Sequence, residues 1–220
     1  MSNTKSLLAD FLYAVLAGMA IALGGAVFLA LDNKILGALF FTVGLFTVCV
    51  NGFNLFTGKV GYAPDNHFRP AYLLFLLLVW LGNLAGTWLV ASLLSLTRLA
   101  VPFAEKAATL CTVKLADGPL SIFILAVFCN VLMYIAVEGF RSNGHELGKY
   151  LGLFFGVSVF ILCGFEHCVA NMFYFSMAGL WGQAHTWVWL LIMTLGNAVG
   201  GLLLPLCRIA GNKLKGETNA

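Results

Sequence analysis

Charge is what this 220-residue chain has least of. Asp, Glu, Lys and Arg make up 10% of it, where a soluble domain carries about 25%, so a solvated globular domain is excluded. A strongly basic field is missing as well. The net charge of +3 and isoelectric point near 8.5 leave no footprint for nucleic acid, and the basic excess reads as membrane topology. No CxxC pair occurs among Cys49, Cys111, Cys129, Cys163, Cys168 and Cys207. These lie mostly in apolar runs, so they read as small packing residues, with no disulfide, metal site or cofactor expected. No basic stretch with a short apolar core and small-residue cleavage site opens the chain. The first apolar run is therefore expected to stay as a helix.

What is present is apolar sequence: 61% of residues are hydrophobic and mean hydropathy is +0.95. Runs of about 20 apolar residues recur throughout, the length a helix needs to cross a bilayer. They are continuous rather than alternating, which excludes a transmembrane barrel. The reading is an all-α membrane protein of six transmembrane helices in one channel domain, residues 1–220. Helices are expected near 7–31, 35–50, 70–97, 118–140, 150–163 (resuming to about 181) and 186–207, with a polar linker over 98–117 and a disordered tail after 210. Six spans put both termini on one side. Lys5, Arg69, Arg141, Lys149, Arg208, Lys213 and Lys215 fall on that side and Lys34, Arg98, Lys106 and Lys114 on the other. The excess places both termini in the cytoplasm.

Two short patterns repeat. GFN at Gly52–Asn54 returns as GFE at Gly164–Glu166, 112 residues on, and LGNLAG at Leu81–Gly86 returns as LGNAVG at Leu195–Gly200, 114 on. This predicts a duplication of about 7–97 as 118–207, three helices each. An odd number of spans makes the second copy enter from the opposite face, an inverted 3+3 repeat. In each half the second helix is the interrupted one. Breaks inside apolar spans persist only where protein or a wet cavity satisfies the freed backbone, so paired breaks predict a permeation path near the midplane.

His167 sits at the second break, where an ionisable side chain costs about 2.5–3.5 kcal/mol on insertion scales and is a functional candidate by default. Glu166 is expected to tie orphan amides or to orient its surroundings rather than line the pore, and an amide-tying carboxylate at the new helix start suits the helix dipole. Asn54 and Gly164 belong to the breaks as structural residues, and Gly58 is read as permitting a sharp bend. Phe160 lies seven residues before His167 on the same face, Phe41 and Leu45 share a face four apart, and Leu55 is the repeat partner of His167. These four are candidate constrictions. Thr57 presents a hydroxyl either to a passing solute or to backbone. Lys114 reads on its own as an interface lysine, and Asn130 as a polar link between helices.

FNLFTGK, GFEHCVANMF and the two LGNxxG segments together resemble the formate/nitrite transporter family of pentameric anion channels, over about residues 7–207. The resemblance implies an aquaporin-like protomer, a homopentamer in the cytoplasmic membrane of a prokaryote, and passage of small weak-acid anions: formate, nitrite or hydrosulfide. It implies His167 as the central pore histidine and Thr57 as its loop threonine. Leu55 and Phe160 would be gate residues, Phe41 and Leu45 the cytoplasmic-side constriction, and Lys114 and Asn130 would approach the histidine from the outer side. Asn54 departs from the pattern, since many members carry glutamate there. The expected mechanism is proton-linked: an anion drawn in by Lys114 gains a proton near His167, from the ring or from water, and crosses the apolar collars uncharged. A membrane enzyme using Glu166, His167 and Cys168 is disfavoured, because neighbours on a helix diverge by about 100°. An aquaporin-type neutral-solute channel would carry paired NPA motifs, and the chain has none.

Overall fold

The computed structural model describes residues 2–216, and the side chains of 5–216. Nine helices form among these residues: α1 (Ser2–Ala30), α2 (Lys34–Asn51), α3 (Phe56–Lys59), α4 (Pro70–Leu94), α5 (Ala100–Ala116), α6 (Pro119–Ser142), α7 (Glu146–Leu162), α8 (Cys168–Met177) and α9 (Ala184–Leu214). Five spans within α1, α2, α4, α6 and α9 are long and apolar enough to cross a membrane. Their outer faces expose large apolar side chains such as Phe40, Trp88 and Phe128. Water would not tolerate such a surface on a monomer, and lipid does. The chain is a multi-pass membrane protein.

α1 packs on α2 and α4, α6 packs on α7 and α9, and α2 meets α7 across the middle. The short helices cross over: α8 packs on α4, and α3 rests on α6 and α9. Close approach is set by glycine. A Cβ at Gly86 would stand 2.1 Å from the Val15 carbonyl oxygen, and one at Gly200 would stand 2.0 Å from that of Val127. No side chain fits either place, and without one the helix backbones come into contact.

The two breaks are built alike, bond for bond, at positions 112 apart. α2 ends at Gly52 with φ 68°, and the chain turns after α7 at Gly164 with φ 72°, the left-handed geometry that glycine adopts without a Cβ clash. The Phe53 amide then donates to the Val48 carbonyl (3.0 Å), as Phe165 does to Phe160 (2.9 Å). The Asn54 amide donates to Tyr13 (3.3 Å), as Glu166 does to Leu125 (3.4 Å).

Three expectations are corrected. Residues 100–116 are a helix rather than a polar linker, because Phe103, Ala107 and Cys111 recur at helical spacing and bury against the bundle. α9 runs on to Leu214, so the polar turn after Cys207 marks where the helix leaves the apolar layer, not where it stops. Lys213 in its last turn favours the negative helix end. Residues 217–220 of the expected disordered tail lie outside the described residues. Finally, the bend at the first break belongs to Gly52. Gly58 lies within α3 at an ordinary helical φ, and a Cβ there would meet Val137 at a comfortable 3.5 Å.

Candidate functional site

Two restarted helices, α3 and α8, begin inside the apolar layer, and each leaves backbone groups that need partners. One asparagine serves each break. The Phe56 amide donates to Asn83 Oδ1 at 2.9 Å, and Asn83 Nδ2 donates to the carbonyls of Ala14 (2.8 Å) and Asn54 (2.9 Å). In the second half the Cys168 amide donates to Asn197 Oδ1 at 2.8 Å, and Asn197 Nδ2 donates to Ala126 and Glu166, both at 2.8 Å. Both asparagines are fully buried. They are the third residue of the two LGNxxG segments, so the motif that occurs twice in the sequence is also what holds the breaks. The sequence carried that signal as an asparagine in an apolar helix.

With the Cys168 amide served by Asn197 and the Ala170 amide by His167, the second break leaves the Glu166 carboxylate free for other work. Its Oε2 accepts from Lys114 Nζ and from Asn171 Nδ2, each at 2.7 Å. The carboxylate accepts from side chains and from no backbone amide, so of its two expected roles it orders its surroundings rather than tying orphan amides. Lys114, in the last turn of α5, is correspondingly an ion-pair partner buried to 15% exposure rather than a lone interface lysine. At the mouth of the same region Lys106 Nζ bonds Asp32 Oδ1 at 2.8 Å and holds that exposed carboxyl below its usual range, tying α5 to the α1–α2 turn.

His167 is the residue just before α8. Its Nδ1 accepts the Ala170 amide at 3.1 Å, while Nε2 lies 2.9 Å from Thr57 Oγ1. An unprotonated Nδ1 puts the neutral ring's hydrogen on Nε2. Thr57 thus accepts from His167, and a single hydrogen bond joins the two breaks. Phe160 stacks on the imidazole with ring centres 5.6 Å apart and 18° between planes, and Phe41 meets Phe160 edge-on at 6.2 Å.

Two cavities approach this junction. One of about 480 Å³ is lined by Val48, Leu55, Gly58, Lys59, Tyr72 and Arg141, among others. The other, of about 250 Å³, is lined by Lys34, Phe41, Lys114, Phe160, Glu166 and His167, among others. Tyr72 lies in the first turn of α4 and Arg141 in the last turn of α6, whereas Lys34 opens α2 and Lys114 closes α5. α2 and α6 each run from the second set toward the first, so the two sets lie at opposite ends of these helices. Thr57 stands between Leu55 and Gly58 of the first wall and bonds to His167 of the second.

Phe41 shares its cavity with Lys34 and Lys114. Leu45, buried one turn further along α2, falls between Phe41 of one cavity and Val48 of the other and lines neither. Asn130 also lines neither cavity: its Nδ2 donates to the Asn197 carbonyl at 2.7 Å, linking α6 to α9. It thereby supports the residue that holds the break, the helix-to-helix link it was read as on its own. Asn54 behaves as a break residue, its Nδ2 donating to the Asp10 carbonyl at 3.2 Å.

Apolar walls, paired breaks and a buried imidazole between two cavities make a conduit with a polar midpoint. The sequence model of the formate/nitrite transporter family matches residues 2–209. The chain belongs to the formate/nitrite transporter family. A probable formate transporter of Methanothermobacter thermautotrophicus is 32% identical over 204 residues, covering 80% of this chain and 74% of that one. The nitrite transporter NirC of Salmonella typhimurium is 27% identical over 213 residues, covering 86% and 77%. Among solved structures, a pentameric formate channel with formate bound superposes with a TM-score of 0.79 at 26% identity, covering 96% of this chain and 98% of that one. Formate/nitrite transporters are membrane transporters and channels, not enzymes.

Proposed function

We propose that this formate/nitrite transporter is a pentameric channel for small monovalent weak-acid anions, with formate as its substrate and proton-linked passage past His167. The observation that carries the proposal is the buried hydrogen bond from His167 Nε2 to Thr57 Oγ1 at 2.9 Å, spanning the partition between the two cavities. Nitrite is the second reading, favoured by the likeness to a nitrite transporter, and hydrosulfide has the same charge and weak-acid chemistry. The fold reading that accompanies it is a six-span protomer. In it α2–α3 and α7–α8 are the broken second and fifth spans, the halves are inverted copies, and both termini are cytoplasmic. The bond-for-bond likeness of the breaks supports the duplication.

A bare anion between Phe41, Phe160, Leu45 and Leu55 would lose its hydration with little in return. Lys114 and Lys34 make the second cavity favourable for an anion, with Glu166 offsetting one of the two charges. At the junction His167 offers Nε2–H, and Thr57 can rotate its hydroxyl to donate or accept. Because Nδ1 is committed to the Ala170 amide, a second proton on the ring would break the cap at the start of α8 and face the positive end of that helix. The ring therefore works as a hydrogen-bond donor, and the anion's proton arrives through water in the cavity. Formate plus that proton becomes formic acid, passes Leu45 and Leu55 as a neutral molecule, and releases the proton on the far side.

Proteoliposomes given formate, nitrite, hydrosulfide and glycerol in turn test this reading. Formate flux that rises as pH falls from 8 to 5 is expected, together with its loss in His167→Phe while pentamers still assemble. Unchanged formate flux across that range in His167→Phe would defeat the mechanism, and faster glycerol than formate passage would defeat the substrate class.

A further inference from the structure

The two cavities treat their cations differently. In the smaller one Lys114 is neutralised by Glu166 at 2.7 Å and Lys34 is engaged by the Leu162 carbonyl at 3.2 Å. In the larger one Lys59 makes no ion pair among the described residues, although it is half-buried in an otherwise apolar wall. Among the described residues Arg141 beside it has no carboxylate partner within ion-pair distance, and its guanidinium sits 4.7 Å above the Tyr62 ring. The nearest acid on that helix, Glu138, is engaged by the Tyr62 hydroxyl at 2.8 Å. Asp10, on α1, meets the amide of Asn54. Two cations thus face a chamber with no carboxylate among its lining residues, and such a pair attracts an anion.

The remaining walls say what kind of anion. The chamber is about 480 Å³, well inside the range of about 300–1,000 Å³ that holds whole organic ligands and far more than a three-atom carboxylate fills. Aromatic rings line it: Phe53, Tyr72, Phe75 and Phe140. Tyr72 and Phe75 lean together with centres 5.4 Å apart and planes tilted by 39°, a geometry into which a further ring can pack by its edge or offset face. Leu55 and the Thr57–His167 bond close the inner end, so a ligand with a ring stops there while a three-atom acid goes on.

We infer that the larger cavity is a binding site for monocarboxylates bearing one aromatic ring. Lys59 and Arg141 hold the carboxylate and the aromatic wall holds the ring. The site goes beyond the channel reading and does not depend on it, since binding requires no conduction.

Calorimetric titration of the purified full-length protein with phenylacetate at pH 7 tests the inference, with acetate and phenylacetamide as the ligands lacking the ring and the charge. Phenylacetate is expected to bind at least tenfold more tightly than either. Lys59→Gln and Arg141→Gln should each weaken it by about tenfold, the scale of one charge-assisted hydrogen bond. Phe75→Ala should weaken phenylacetate and leave acetate unchanged, a pattern that misfolding cannot imitate. Equal affinity for phenylacetamide, or wild-type affinity in both cation variants that elute as the wild-type oligomer, overturns the site. Absent formate flux in liposomes would sink the channel reading and leave this result standing.

Discussion

Asn197→Ala removes one side chain and three hydrogen bonds at once. The Ala126 carbonyl stays within the hydrogen-bonded body of α6, so its loss is small. The Cys168 amide and the Glu166 carbonyl are different, since no other partner reaches them in the apolar layer. Each buried group left unsatisfied costs about 1–3 kcal/mol, so the substitution should cost about 2–6 kcal/mol before any packing loss. For a chain of this size 1 kcal/mol shifts the unfolding midpoint by about 2–4 °C, and a fall of about 5–20 °C follows. The mirrored Asn83→Ala orphans the Phe56 amide and Asn54 carbonyl in the same way and should fall within the same range. The assay is thermal unfolding in detergent, followed by the oligomer peak in size-exclusion chromatography. A midpoint within about 2 °C of wild type for Asn197→Ala would refute the argument that these asparagines hold the breaks.

Three further outcomes follow. Gly200→Ala, whose Cβ would stand 2.0 Å from the Val127 carbonyl oxygen, should abolish the folded oligomer, whereas Gly211→Ala meets nothing within 4 Å and should leave the unfolding midpoint unchanged or raised. Lys114→Gln leaves the Glu166 carboxylate buried without its ion, at a cost of about 3–5 kcal/mol. The double change Lys114→Gln with Glu166→Gln should recover most of that loss, and a double variant no more stable than the single one contradicts the pairing. Thr57→Val keeps the shape of the side chain and deletes the acceptor of His167 Nε2. One neutral hydrogen bond is worth about 0.5–1.5 kcal/mol, so formate flux in proteoliposomes should fall by about two- to twelvefold with assembly intact, and undiminished flux argues against the hydroxyl taking part.

Much of this was legible in the residues. Glycine followed by phenylalanine and a polar residue inside an apolar run announced both breaks, because glycine alone turns a helix end with positive φ and no other explanation suits a polar insert in hydrocarbon. His167 was marked by the cost of its own burial. Phe160 does stack on the imidazole, but through the turn at Gly164 rather than by helical period, since α7 ends at Leu162. Harder to read were residues whose role depends on a partner far along the chain. Glu166 looked like an amide cap because it stands beside orphan amides. Asn197, thirty-one positions later, takes that duty and frees the carboxylate for Lys114. Gly58 looked like a hinge because it follows a threonine in a break, although the hinge is Gly52. α5 was missed because its polar face is as regular as its buried one.

The sequence by itself determined the membrane class, the breaks and the family, because each depends on local composition and spacing: hydropathy over about twenty residues, glycine where φ is positive, and motifs whose residues adjoin. Only the tertiary structure decided which charge meets which, that Phe41 and Lys114 share a cavity, and that Thr57 and His167 join across 110 residues. Those are contacts between segments brought together by packing, and their partners are chosen by distance in space, which no local pattern along the chain encodes.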